Sequence, residues 1–435
     1  MKITFIGAGS TVFARNVIGD CILTPELGDF DVCLFDIDPQ RLDESYQILC
    51  NINKTANGRA NITKTLDRTE AFTGADFIVN AIQVGGYRPS TVIDFEVPKK
   101  YGLRQTIADT IGIGGIFRAL RTIPVMMDYA NDIERLSPRA LFLNYTNPMA
   151  ILTGYMQRFT NIKAVGLCHS VQVCANELLK TLGMDEYVDK TRWEIAGINH
   201  QAWLLKIEDL SGNDLYPEIK RRASSPDYNK EGRDLVRLEI MKRFGYYVTE
   251  SSEHSAEYLP YFIKDKYPEL IDRFKIPLDE YPRRCERQIS AWNKMRESLL
   301  HNSLIQHEKS HEFASYIINA VLNDVPYRIH GNVLNTGLIT NLPQNACVEV
   351  PCMVGRNGIN PCYVGELPEQ CAALNRTNIN MQLMTIKAAE TLKKEYIYIA
   401  AMLDPHTSSE LSIDDIVSLC DDLIEAHKGW LPEFK

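Results

Sequence analysis

Three strand-end motifs of this 435-residue chain place metal-ligating and hydrogen-bonding groups close together: Asn144-Tyr145-Thr146-Asn147-Pro148, Cys168-His169-Ser170 and Asn199-His200. A thiolate and an imidazole both ligate first-row divalent metals, and two protein ligands leave positions open for substrate oxygens. Taken singly, Cys168 reads as a small buried apolar residue and His200 as a satisfied core histidine. At successive strand ends the pair reads as metal ligands. A further cluster, Thr249 to Phe262, packs Glu250, Glu253, His254, Glu257, Tyr258 and Tyr261 into one short run, which reads equally as a hydrogen-bonded loop.

A second chemistry starts at the N-terminus. Gly7-Ala8-Gly9-Ser10 follows an apolar run and precedes a helical pattern, so backbone N–H groups at a helix start can face a pyrophosphate. Val12 stands where the usual fingerprint has its third glycine, so the motif also reads as a plain α/β turn. Asp36, at the end of the next strand, suits an adenosine ribose. No arginine follows it to hold a 2′-phosphate, which favours NAD over NADP. Asn80 ends a third strand, ahead of Gly85-Gly86, at the same expected edge.

The elements that position these groups alternate in type. Expected strands lie at 2–6, 31–36, 75–82, 140–145 and 163–167, with helices at 11–23, 39–56, 116–136, 148–159 and 171–182. This is the pattern of an α/β, Rossmann-like, doubly wound parallel sheet. Residues 192–208 read as two extended segments, and 211–230 as a mobile loop. Amphipathic helical patterns follow at about 230–244, 280–302, 309–323, 375–402 and 412–427. The expectation is a nucleotide-binding domain over 1–190 and a mainly helical α+β domain over 191–435, with the site at their junction.

Composition narrows the partners. Forty-seven Lys and Arg against 56 Asp and Glu give a net charge of −9, with no basic block, so nucleic acid is not expected. No apolar run approaches the roughly 20 residues of a membrane span. The N-terminus lacks a secretory h-region, and the 11 cysteines contain no C-x-x-C pair, so a reducing cytoplasm and a small-molecule substrate are expected. Apolar helical stretches such as 396–403 point to a homodimer or homotetramer.

Taken together, Gly7-Ala8-Gly9-Ser10, Asp109-Thr110-Ile111-Gly112 running into Gly115-Ile116-Phe117-Arg118-Ala119-Leu120-Arg121, Asn147-Pro148, Cys168-His169-Ser170-Val171, Gly197-Ile198-Asn199-His200 and Ser251-Ser252-Glu253-His254 resemble glycoside hydrolase family four. The resemblance runs on to Asp404-Pro405-His406. It implies a lactate/malate dehydrogenase-like fold with NAD⁺ and a divalent metal, usually Mn²⁺, and a chemistry apart from two-carboxylate glycosidases. Carbon 3 of the sugar is oxidised transiently, the proton on carbon 2 is removed, the aglycone is eliminated, water adds, and the hydride returns. The family's metal ligands match Cys168 and His200. Asn147 and Asp109 match residues near the sugar hydroxyls, and Arg284 an active-site arginine. Tyr258 matches the base, with Tyr261 its rival, and His169 takes the position of the acid. Cys-His-Ser-Val resembles the version found in members acting on α-galactosides, and His169 argues against a 6-phosphorylated sugar. Galacturonide or glucoside specificity within the family is the alternative. A 2-hydroxyacid dehydrogenase is more distant, because the strand ends carry Cys and Asn-His in place of its His, Asp and Arg. A non-catalytic NAD sensor leaves the metal pair unexplained.

Overall fold

The structure is a computed structural model that describes residues 1–301 and 305–435. Six strands run parallel: β1 (Lys2–Ile6), β2 (Phe30–Phe35), β3 (Ala60–Thr65), β4 (Phe77–Asn80), β5 (Leu141–Asn144) and β6 (Lys163–Leu167). Their order is β3-β2-β1-β4-β5-β6, with reversal between β1 and β4. In such sheets ligands bind at the carboxyl edge, at that switch point. β1, β4 and β5 are short apolar runs because helices cover both faces of the sheet. Ile3, Phe5, Phe77 and Phe142 lie within the main core.

The sheet does not end with β6. Strands β7 (Thr191–Ile198), β8 (Gln201–Asp209), β9 (Tyr247–Val248), β10 (Tyr327–Leu334), β11 (Cys347–Gly355) and β12 (Gly358–Pro361) extend it. β10 pairs antiparallel with β6, through Gly331 opposite Leu167, and β11 reaches β7 through Glu349 opposite Gly197. The later half is mainly helical, yet it contributes half of the strands of this one sheet.

Several elements differ from expectation, for local reasons. β3 was not expected, because Ala-Asn-Ile-Thr-Lys-Thr exposes three of its six side chains and reads as polar. β10 and β11 carry His330, Asn332, Glu349 and Pro351 inside their spans, which dilutes the apolar signal. The pattern at 375–402 is two helices, Glu369–Thr391 and Lys394–Leu403, because Leu392 takes a left-handed φ of 53°. The stretch expected as a mobile loop holds the helix Tyr216–Ala223, started by Pro217 and anchored by fully buried Ile219. The helix expected at 280–302 spans Glu280–His301, and residue 302 lies outside the described residues. All 11 cysteines are free and eight are buried. Among the described residues no helix is long and apolar enough to cross a membrane.

Candidate active site

At the nucleotide edge, Gly7 has φ 82°, and a Cβ there would stand 2.6 Å from the Ala81 carbonyl oxygen. No other residue fits that turn. The Gly7 and Ala8 N–H groups donate to the Phe35 carbonyl at 3.0 and 3.1 Å. Asp36 Oδ2 accepts from the Gly9 N–H at 2.6 Å and its Oδ1 from the Asp38 N–H at 2.9 Å, so β1 and β2 are tied across their ends. Ser10 precedes the helix Thr11–Ile22 without capping it through its side chain. Asn80 is fully buried. Its Nδ2 donates to Asn144 Oδ1 (2.9 Å) and Thr146 Oγ1 (3.1 Å), while its Oδ1 has no partner. The glycine turn, the helix start and the orphaned amide oxygen fit a dinucleotide.

On the metal side, Cys168 follows β6, just before the helix Ser170–Thr181, and its Sγ lies 3.3 Å from Ser170 Oγ. His200 is the second residue of the two-residue β7–β8 turn and takes a left-handed φ of 63°. The structure brings a residue that sequence reasoning did not assign, Glu250, to the same place. Donor atoms of Cys168, His200 and Glu250 all lie within 4.8 Å of one another. Glu250 also has a left-handed φ, 65°, a conformation costing a non-glycine residue about 1 kcal/mol and concentrated at functional sites. His200 Nδ1 is buried without a partner. A thiol, an imidazole and a carboxylate whose donor atoms lie this close together fit a divalent cation.

Beside this trio lies the helix Ser252–Tyr258, which ends before Pro260. His254, Glu257 and Tyr258 share its buried face at i, i+3 and i+4. The Glu257 carboxylate accepts three backbone N–H bonds, from Thr106 (2.6 Å), Ile107 (3.2 Å) and Ala108 (3.0 Å), and so pins the loop that carries Asp109. Asp109 Oδ1 stands 3.7 Å from His254 Nε2, and its Oδ2 accepts from Asn147 Nδ2 at 3.2 Å. Gly114, just beyond, leaves room for this loop, since a Cβ there would meet the Ala108 carbonyl at 2.4 Å. The His200 ring lies 4.6 Å from the His254 ring and 6.4 Å from the Tyr258 ring.

Burial and neighbouring charge set the protonation states here. Burial opposes ionisation of Glu250, but the adjacent His200 and His254 charges prevail and hold its carboxyl near 2. Burial also opposes ionisation of Asp109. The His254 contact and the Arg118 charge outweigh it and keep the carboxyl below the usual range. Burial lowers His200 to about 4, whereas Glu250 and Asp109 overcome burial at His254 and raise it to about 9. Burial, with the carboxylates of Glu349 and Glu250, pushes the Cys168 thiol well up. A bound cation reverses that sign, because a coordinating thiol is deprotonated.

The remaining sequence candidates divide between the buried cluster and the surface. Tyr258 is almost fully buried and donates to the Asn199 carbonyl at 3.3 Å, while Tyr261 is 50% exposed and stacks on Phe244. The His169 side chain is 57% exposed, with Nδ1 3.9 Å from Glu312 Oε1. Arg284 donates to Glu280 Oε1 at 3.1 Å and faces Glu253 at 3.5 Å. Sequence reasoning missed Glu250, Glu257 and Arg118, whose Nε donates to the Asn147 carbonyl at 3.2 Å. The first two lay inside the acid-rich run 249–262, and that crowding was their only signal.

The Family 4 glycosyl hydrolase model matches residues 2–184, and the model of the Family 4 glycosyl hydrolase C-terminal domain matches 195–407. The chain is 62% identical over 434 residues to the alpha-galactosidase of Bacillus subtilis (strain 168), covering 100% of both. Its fold matches the crystal structure of lplD from Bacillus subtilis with a TM-score of 0.86 at 26% identity, over 97% of this chain and 99% of that one. It also matches a 6-phospho-alpha-glucosidase from gut microorganisms in complex with NAD and Mn²⁺, with a TM-score of 0.82 at 21% identity, over 100% and 99%. Two family models laid end to end along one chain, and a relative sharing most of its residues over its full length, show that this protein belongs to glycoside hydrolase family 4.

Proposed function

We propose that the chain hydrolyses unphosphorylated α-galactosides, using NAD⁺ and a divalent ion, Mn²⁺ by preference, with no net redox change. The observation that carries this reading is the meeting of Cys168, His200, Asp109 and Tyr258 in one buried cluster at the carboxyl edge of the sheet that bears the Gly7–Ser10 turn. The galactoside is supported by the 62% identity to an alpha-galactosidase, and the cofactors by the donor set and by the relative solved with NAD and Mn²⁺. When bound, NAD⁺ would exchange a hydride with carbon 3, while the ion would acidify the oxygens on carbons 2 and 3 and the nearby phenol.

The protein's own residues supply the rest. Asp109, held ionised, accepts hydrogen bonds from sugar hydroxyls, and Asn147, bonded to it, donates one. Tyr258 takes the proton from carbon 2. Its buried phenol is pushed well above its ordinary range by burial and by the Asp109 and Glu250 carboxylates, so it works as a base only beside a cation. His169, on the exposed side of the cluster, hands a proton to the departing oxygen. Arg284, which faces Glu253 at 3.5 Å, is the arginine assigned here to substrate binding. A panel of nitrophenyl α-glycosides, with and without NAD⁺, Mn²⁺ and a thiol reductant, tests the reading. Turnover of the α-galactoside alone, dependent on both cofactors and leaving deuterium at carbon 2 in D₂O, is expected. Full turnover in protein shown by mass spectrometry to lack NAD overturns it.

A further inference from the structure

We infer that Glu250 is a third protein ligand of the divalent ion, beside Cys168 and His200; this rests on the metal site proposed above. Its two carboxylate oxygens have separate tasks. Oε1 accepts the Ser251 N–H at 3.1 Å and faces His254 Nδ1 at 3.5 Å, while Oε2 faces His200 Nε2 at 3.5 Å. The last distance is too long for a hydrogen bond. It suits two donors that share one ion, because donor–metal distances of about 2.0–2.3 Å place such donors roughly 3–4.6 Å apart. The 4.8 Å envelope of the three donor atoms is within a small side-chain rotation of that range. Glu250 lies two residues beyond β9, after Thr249, whose N–H donates to the Ala202 carbonyl at 2.8 Å, and β9 pairs with β8, the strand that His200 precedes, so sheet register sets the separation of the two residues.

The donor set also changes what the site selects. A thiolate and an imidazole alone suit the softer borderline metals, and an added carboxylate shifts preference toward Mn²⁺ and Mg²⁺. It brings a second negative charge, so a thiolate and a carboxylate together neutralise a divalent ion. The test is Mn²⁺ affinity of the reduced, NAD⁺-loaded protein, read by the free-ion electron paramagnetic resonance signal, in the parent, Glu250→Gln, Glu250→Asp and Cys168→Ser. The Gln variant should lose about tenfold or more and keep NAD⁺ binding, with Asp recovering part of the loss. Infrared difference spectra of ¹³C-glutamate-labelled parent should show a carboxylate band that moves on adding Mn²⁺ and does not move in Glu250→Gln. An affinity change under about threefold overturns the assignment. So does a larger loss without a Glu250-dependent band shift, which would make Glu250 only a support for the His200 ring. If the Gln variant fails to fold, the infrared result with Glu250→Asp decides. Parent affinity retained in Cys168→Ser would instead sink the metal site itself.

Discussion

The nucleotide edge and the metal and sugar side of the cleft are assembled in opposite ways. At the first, Gly7, Gly9, Asp36 and Asn80 stand at the ends of three neighbouring parallel strands, and the turn is held by backbone N–H groups, those of Gly7 and Ala8 on the Phe35 carbonyl and that of Gly9 on Asp36. At the second, Cys168, His200, Glu250, His254 and Asp109 come from four segments, with His200 and Glu250 both at left-handed φ, and side chain faces side chain: Glu250 lies 3.5 Å from both His200 and His254, Asp109 lies 3.7 Å from His254, and Cys168 lies within 4.8 Å of His200 and Glu250. The first side is a modular turn that tolerates loss of one contact. The second is a mutually charged cluster in which one substitution alters every neighbour.

If that contrast is right, substitutions on the metal side abolish catalysis without touching the cofactor. Cys168→Ser and His200→Ala should remove activity to background while NAD⁺ titration by fluorescence stays within roughly twofold of the parent, because neither residue belongs to the Gly7–Ser10 turn or to Asp36. Coupled loss of NAD⁺ affinity would break the comparison.

Next in size, Tyr258→Phe should cost about 10²–10⁴-fold in kcat, the usual contribution of a positioned base, and abolish carbon-2 deuteration. Tyr261→Phe, half-exposed on Phe244, should stay within about twofold, as surface substitutions do. The reverse ranking would mean that the buried phenol facing His200 is not the base.

On the nucleotide side, Asp36→Asn replaces a charged acceptor of the Gly9 and Asp38 N–H groups with an amide. Hydrogen bonds to charged groups contribute about 1.5–3 kcal/mol, so NAD⁺ should weaken by roughly tenfold, with kcat at saturating NAD⁺ nearly unchanged. A fall in kcat at saturation would show the two sides to be coupled.

The smallest effect sharpens the picture of the cluster's floor. Burial raises the Glu349 carboxyl from 4.5 to about 8, despite a hydrogen bond from Asn332. The unfolded chain releases this proton above about pH 4.5, while the folded chain keeps it to about 8. Stability therefore falls as pH rises through that window, by linkage. In metal-free protein, Glu349→Gln removes the penalty. Its Tm should gain on the parent between pH 5 and pH 8 and match it below pH 4.5. A pH-independent difference would show that Glu349 does not titrate there.

The residues that were legible in advance were those whose meaning is local. A glycine turn after an apolar run, an aspartate one strand later, and a thiol and an imidazole at strand ends offer candidate chemistry through residue type and spacing, and the structure sets Asp36 against the Gly9 N–H and Cys168 within 4.8 Å of His200. The strands β10 and β11 were not legible, because buried polar residues such as Asn332 and Glu349, paired with each other in the sheet, look like loop residues in isolation. Nor was the split of the long C-terminal helical pattern, which turns on a single left-handed Leu392.

The amino-acid sequence alone therefore determined the family, through short motifs spread from Gly7 to His406, and offered the glycine turn and the thiol–imidazole pair as candidates, since each motif depends on neighbours a few positions apart. Only the tertiary structure decided which acid of the 249–262 run faces Cys168 and His200, that His254 meets Asp109, and which tyrosine is buried beside the imidazole. The reason is geometric. One face of the helix Ser252–Tyr258 carries His254 and Tyr258 inward, Pro260 follows the end of that helix, and Tyr261 lies beyond it on the surface. Which inward groups then touch is set by the register of β8 with β9 and by the Glu257 anchor on the distant Asp109 loop, contacts that no local spacing encodes.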